Sequence, residues 1–206
     1  MQQQGRTGPR PIRSAMELWG FWSLSIKEKK QILDGHRLLA FSILCMVLLE
    51  QVDGAGVLEH PSEPKDPQSP SIWKLPLIEM LLQIPGFDKI IFAQGLLGAD
   101  SSKSTTLLVL NLPNLPMDIR KHAISAELPH GRSIGLDNQG HFKTSVLKEY
   151  PPALCSALAA SFADFLHDSS SPTEGRHPLP VDVKERLSKM VCHTFGTSIG
   201  PDCAQK

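Results

Sequence analysis

The sequence has no surplus of charge: among 206 residues, 21 Lys and Arg balance 21 Asp and Glu. That excludes a general electrostatic grip on nucleic acid, which needs enough cations to displace counterions from phosphates. Only a local basic patch remains open. Cysteine is sparse, at Cys45, Cys155, Cys192 and Cys203, with no CxxC pair. The dense disulfide framework of small secreted domains is therefore excluded. The thiols read as reduced and the chain as intracellular, in cytoplasm or nucleus. The eight histidines include no HxxxH or HExxH pair, and no four ligands for a tetrahedral metal are apparent. No GxSxG elbow is present to expose a nucleophilic serine.

Long hydrophobic runs are lacking too. Leu38–Leu49 spans 12 residues, and extending it to membrane length takes in Glu50 and Asp53, each costing about 2.5–3.5 kcal/mol at a span's centre. A buried helix is expected, with no membrane partner. The first residues carry no apolar segment of the kind a signal peptide needs. What the chain does have is 41% apolar residues, enough at this length for one domain with its own core.

Residues 1–14 place Arg6, Arg10 and Arg13 among Gly and Pro, with too little apolar content to offset ordering, and predict a flexible basic arm. Ser25 followed by Glu28 is a capping box opening a long helix. That helix is expected to break or bend near Gly35 and to bury its second half. Gly54 and Gly56 end it and lead into a short strand, Val57-Leu58, that runs into Glu59-His60-Pro61. Prolines at 61, 64, 67 and 70 make residues 61–70 a loop. A helix restarts at Leu75-Pro76 and stops at Pro85-Gly86. Ile90–Ala93 and Thr105–Leu110 predict buried strands paired as a hairpin around residues 94–104. Asn114 and Pro116 predict a short helix to His122, and Asp137–Gly140 a turn. Residues 151–167 form an amphipathic helix with Leu154, Leu158, Phe162, Phe165 and Leu166 inward. Residues 168–180 read as a linker, and 181–206 as a last helix, with Val183, Leu187, Met190 and Val191 inward, and a tail. Helices alternating with strands give an α/β fold, strand-deficient for its length.

Gly98–Thr105 superficially matches a phosphate-binding loop, but Leu97 and Ser102 stand where the motif has glycine, and a strand follows rather than a helix. Glu59-His60-Pro61 is more informative. A carboxylate at the carboxyl end of a strand lies where open α/β sheets bind ligands.

The runs RPIRSAMELWGFWSL, GHRLLAFSILCMVLL, GVLEHPSEP, PSIWKLPLIEMLLQIPG, QGLLGADSSKSTTLLVLNLP and FKTSVLKEYPPALCSALAASF resemble an uncharacterised, retroelement-associated protein family of microalgal genomes, over residues 10–167. More distantly, the chain is similar to the carboxyl half of DNA cytosine methyltransferases. Their motif order has a strand ending Glu-Asn-Val or Glu-Asn-Pro, a helix, a hairpin with basic residues, and a helix bearing Pro-Pro. Glu59-His60-Pro61 resembles the strand end, residues 94–110 the hairpin, and Tyr150-Pro151-Pro152-Ala153-Leu154 the last helix.

The resemblance implies a partial Rossmann-like sheet with flanking helices, in a methyltransferase-like partial domain over residues 15–167. It implies that Glu59 and His60 bind substrate, with Glu59 on the ring nitrogen of a flipped base and Lys103 beside it. The chain departs from the family in three places: no cysteine follows a proline, no glycine-rich S-adenosylmethionine turn precedes Arg10, and His60 replaces Asn. No catalytic residue is therefore assigned, and no cofactor is expected unless an unrecognised S-adenosylmethionine site survives. The expectation is a non-catalytic remnant of a methyltransferase-like domain. The alternative is a module binding nucleic acid or protein through the three arginines and Lys103. If an upstream half is missing, Leu38–Leu49 and Ile90–Ala93 should lack cover on one side, where a partner protein would dock.

Overall fold

The computed structural model describes residues 10–100, 102–124 and 149–168. In chain order they form helix α1 (Ile26–Gln51), strand β1 (Gly56–Pro61), helix α2 (Pro76–Leu81), strands β2 (Phe87–Ala93) and β3 (Ser104–Leu110), and helices α3 (Leu115–Lys121) and α4 (Pro152–Asp168). Short 3-10 turns at Ile72–Lys74 and Gln94–Leu97 introduce α2 and follow β2.

Local chemistry sets the boundaries. Ser25 accepts a hydrogen bond from the Glu28 backbone N–H, while the Glu28 carboxylate accepts from the Ser25 N–H, completing the capping box. The expected interruption at Gly35 is absent, and helical assignment continues through it. Pro76 opens α2, where a missing N–H removes no helical bond.

The three strands lie in the order β1-β3-β2, and β3 is antiparallel to both neighbours. Glu59 is opposite Leu107, and Ile90 is opposite the same residue from the other side. Strands β1 and β2 therefore run parallel to each other, linked through α2 and separated by β3. The hairpin expected between the two later strands is present, but β2 is not buried. It is a sheet edge, and Asp88, Lys89 and Ile91 are exposed. Charges on an edge strand oppose further strand pairing.

Strand β3 is inaccessible from Thr105 to Leu110, which explains why its sequence is apolar without alternation. Its alternate residues serve two cores. Leu108 and Leu110 pack with Ile43, Met46, Val47, Trp73, Ile78 and Leu81 from the α1 and α2 side. Leu107 and Val109 pack with Leu97, Leu115, Ile119, Leu154 and Ala157 from the α3 and α4 side. The result is a mixed α and β architecture, a small antiparallel sheet with helices on both faces.

Two burial expectations need correction. On α4, Leu154 is inward as expected, but Leu166 is 71% exposed while Ala157 and Ser161 take core positions. On α1, one face packs on the sheet through Ile43, Met46 and Val47, while Leu38, Phe41 and Leu48 remain 69%, 59% and 51% exposed. The helix's second half is thus buried on one side only. By length and composition alone, α1 could cross a membrane.

Of the basic arm, residues 1–9 lie outside the described residues. Its described part is held: Arg10 pairs with Glu28 at 2.7 Å, and the Phe21 N–H donates to the Ile12 carbonyl. The turn at Asp137–Gly140, the linker, the last helix, Cys192 and Cys203 also lie outside the described residues. Cys45 and Cys155 are free thiols.

Candidate functional site: the carboxylate at the end of β1

β1 continues through Glu59 and His60 to Pro61, the residue expected to open the loop, and strand alternation decides which side chains meet there. Glu59 falls on the same sheet face as Val57, toward α3 and α4, whereas Leu58 and His60 fall on the opposite one. Lys103, immediately before β3, brings its Nζ to 3.2 Å from Glu59 Oε1. Tyr150, immediately before α4, donates its hydroxyl to Glu59 Oε2 at 3.1 Å. Three segments separated by 44 and 91 residues thus meet at one carboxylate, with one donor on each oxygen.

The cluster is half-buried. Glu59 and Lys103 side chains retain 20% and 29% of their exposure, so the pair is less screened than a surface ion pair. Partial burial raises the Tyr150 phenol above its ordinary value, and the Glu59 charge raises it further. Tyr150 therefore remains a proton donor to the carboxylate throughout the neutral range. A carboxylate held this way presents an acceptor to any ligand N–H that replaces either donor.

Glu59 and Lys103 are brought together, but His60 is not part of this site. It lies edge-on to Trp73, ring centroids 6.2 Å apart, on the α1 side, and its Nδ1 is 3.1 Å from the Pro61 carbonyl. There it lines a narrow cleft with Arg13, Trp19 and His36. Burial lowers the pKa of both imidazoles, favouring their neutral forms. Adjacent strand residues face opposite ways, so Glu59 and His60 cannot grip one base-sized ligand together.

Tyr150 was not among the residues assigned a role from sequence. It stands in the Tyr150-Pro151-Pro152 run, and its place before two prolines is the signal that could have marked it, since they fix its position ahead of α4. No sequence pattern marks Asp118 and Ser161, which form a buried hydrogen bond between α3 and α4. A wider cleft of about 280 Å³ lies beside them, lined by Asn111, Asn114, Asp164, Phe165 and Asp168. Among the described residues, no group of three His, Cys, Asp or Glu converges as a metal site would require.

No family model, curated protein or solved structure matches the chain.

Proposed function

We propose that this chain is a non-catalytic, methyltransferase-like partial domain that binds an unpaired nucleobase at Glu59, Lys103 and Tyr150. The observation that carries the reading is the convergence of Lys103 and Tyr150 on the Glu59 carboxylate, in the carboxyl-terminal half of β1. Glu59 would accept from the exocyclic amino group of the base, and from the adjacent ring nitrogen when that nitrogen is protonated. Lys103, displaced from the carboxylate, would turn to the phosphate. Tyr150 would offer the base an aromatic face.

The element order supports the methyltransferase-like part. A strand ending in Glu59-His60-Pro61 is followed by helix α2, the β2–β3 hairpin, and helix α4, which opens beside Pro151-Pro152. Rossmann-like character is part of the same proposal. It is supported by helices on both faces and by β1 and β2 running parallel through an α2 crossover. Every neighbouring pair of strands is antiparallel, which sets this sheet apart from a plain doubly wound core. The absent Pro-Cys nucleophile supports a role without methyl transfer, and origin in a mobile-element-associated protein belongs to the same reading. The alternative of a continuous basic surface is weakened because Arg10 and Lys103 are each paired with a carboxylate.

Calorimetric titration of the full chain with a short cytosine-containing single strand tests this, with a matched abasic strand and S-adenosylmethionine in parallel. Saturable binding to the base-containing strand, weakened about tenfold or roughly 1.4 kcal/mol by Glu59→Gln, is expected. Equal binding to the abasic strand, or none by folded protein, overturns base recognition. Saturable S-adenosylmethionine binding overturns the absence of a cofactor site.

A further inference from the structure

The narrow cleft on the α1 side of the sheet draws its polar lining from four separate segments. Arg13 comes from the segment before α1, His36 from α1, His60 from β1, and Ser71 from the cap of the 3-10 turn at Ile72–Lys74. Trp19 stands edge-on to His36 with ring centroids 4.7 Å apart, and Leu39 and Leu75 supply apolar wall. The free space is about 30 Å³, room for a group of a few heavy atoms. A few convergent polar groups in an apolar cleft are what a small-ligand site requires.

Two donors of this lining lack an acceptor among the described residues. No carboxylate among them pairs with Arg13. Ser71, 6% exposed, accepts the Trp73 backbone N–H at 3.2 Å, which leaves its own hydroxyl hydrogen to donate. His60 Nδ1 donates to the Pro61 carbonyl at 3.1 Å, and His36 donates to the Leu18 carbonyl. Each ring therefore keeps one nitrogen that becomes a further donor when protonated. Burial is the main force holding both imidazoles neutral, and Arg13 adds to it at each; at His60, Glu59 opposes and Lys103 assists. Lys74, in the turn beside the cleft, is paired with Glu63. A cation would be repelled by Arg13, and a neutral ligand would leave the guanidinium without a counter-charge. An anion neutralises Arg13, accepts from Ser71 and favours protonated imidazoles.

We propose that this cleft binds a small oxyanion, a carboxylate or a phosphate group, held by Arg13 and Ser71 and flanked by His36 and His60. Each imidazole that becomes a donor on binding takes its proton from water, so affinity rises as pH falls. The cleft lies on the sheet face opposite Glu59 and is independent of the base-binding reading.

Histidine-ring NMR of the full chain tests the proposal. Acetate serves as the carboxylate, and sulfate, whose charge is constant over the histidine range, stands for the phosphate group. Sodium chloride at equal ionic strength is the reference. The His36 and His60 signals, assigned from His36→Gln and His60→Gln, should titrate at higher pH in at least one oxyanion. Those of His122 and His167, outside the cleft, should not move. The dissociation constant from the same spectra should fall at least about threefold between about pH 8 and about pH 6. Response to sulfate alone assigns a phosphate group, and response to acetate alone a carboxylate.

Arg13→Gln should abolish the response with an unchanged thermal melt. Binding that persists in the folded Arg13 variant overturns the proposal. So does a parent in which neither oxyanion moves His36 and His60, in which chloride moves them equally, or in which all histidines move alike. Binding that is independent of pH overturns it too. The parent spectra decide even where the Arg13 variant fails to fold.

Discussion

Ser161 on α4 donates its hydroxyl to Asp118 Oδ2 on α3 at 2.6 Å, inside the contact between the two helices. Both residues are almost inaccessible, at 2% and 4% exposure. The Ser161 hydrogen bond is the main force holding the Asp118 carboxyl below its ordinary pKa, Lys121 adds to it, and burial opposes them. Ser161→Ala leaves one carboxylate oxygen buried without its donor and should cost about 1–3 kcal/mol in urea unfolding. Because the folded pKa lies below the unfolded value of about 3.9, Asp118 contributes stability above that pH. The contribution is lost as pH falls through the folded value. The alanine variant should therefore begin acid unfolding at a higher pH than the parent. Superimposable acid transitions would show that the bond does not stabilise the fold.

Glu28 makes a second pH-dependent tie, at the start of α1. Arg10, foremost, and Ser25 hold its carboxyl down to about 2. Side-chain carboxyl NMR should follow Glu28 titrating near that value, while Arg10→Ala should raise the midpoint and leave the capping bonds of Ser25 in place. The stabilisation it gives is present above the unfolded glutamate value of about 4.3 and disappears between there and about 2. An unchanged Glu28 midpoint in the Arg10 variant would mean that the arginine is not held there in solution.

The chain contains one tyrosine, so near-ultraviolet tyrosinate absorbance reports Tyr150 alone. Its midpoint should lie above the ordinary value of about 10, first because the phenol is partly buried and second because Glu59 is adjacent. Glu59→Gln should lower the midpoint without restoring the ordinary value, since burial remains. No difference between the parent and the glutamine variant would place Tyr150 away from Glu59 and dissolve the three-residue cluster.

The boundaries of most elements were legible because they depend on local chemistry. Ser25 with Glu28, Pro76, Pro85-Gly86 and Asn114 with Pro116 each act within a few residues of themselves. Strand order was not legible, because placing β3 between β1 and β2 depends on pairings between residues nearly fifty positions apart. Continuous burial of Thr105–Leu110 also removed the alternation that would have shown two faces. Glu59 stood out by following the expected strand Val57-Leu58, although β1 continues to Pro61, and Lys103 stood out only through the family resemblance. His60 was grouped with Glu59 by sequence adjacency, the relationship that strand geometry reverses. Tyr150 and Ser161 act through partners 91 and 43 residues away, and no local pattern announces such a partner.

Two glycines should respond to alanine in opposite directions. Gly86 has φ +90°, and a Cβ there would lie 2.3 Å from Asn111 Oδ1. Asn111, itself at φ +54°, donates its backbone N–H to the Gly86 carbonyl at 2.9 Å and its side-chain N–H to the Gly54 carbonyl at 2.8 Å. That asparagine ties the entry to β1, the turn before β2 and the exit of β3, so it cannot yield without releasing all three. Gly86→Ala should destabilise by about 1–3 kcal/mol from backbone strain alone, more if Asn111 is displaced. Gly35 lies within α1, where an added Cβ meets nothing within 4 Å. Gly35→Ala should instead stabilise by about 0.5–1 kcal/mol, by reducing the entropy lost on forming the helix. Urea unfolding of the two variants beside the parent reads both signs. A destabilising Gly35→Ala would mean that α1 needs glycine there for close approach of another helix or chain. A neutral Gly86→Ala would mean that the Asn111 tie is not kept in solution.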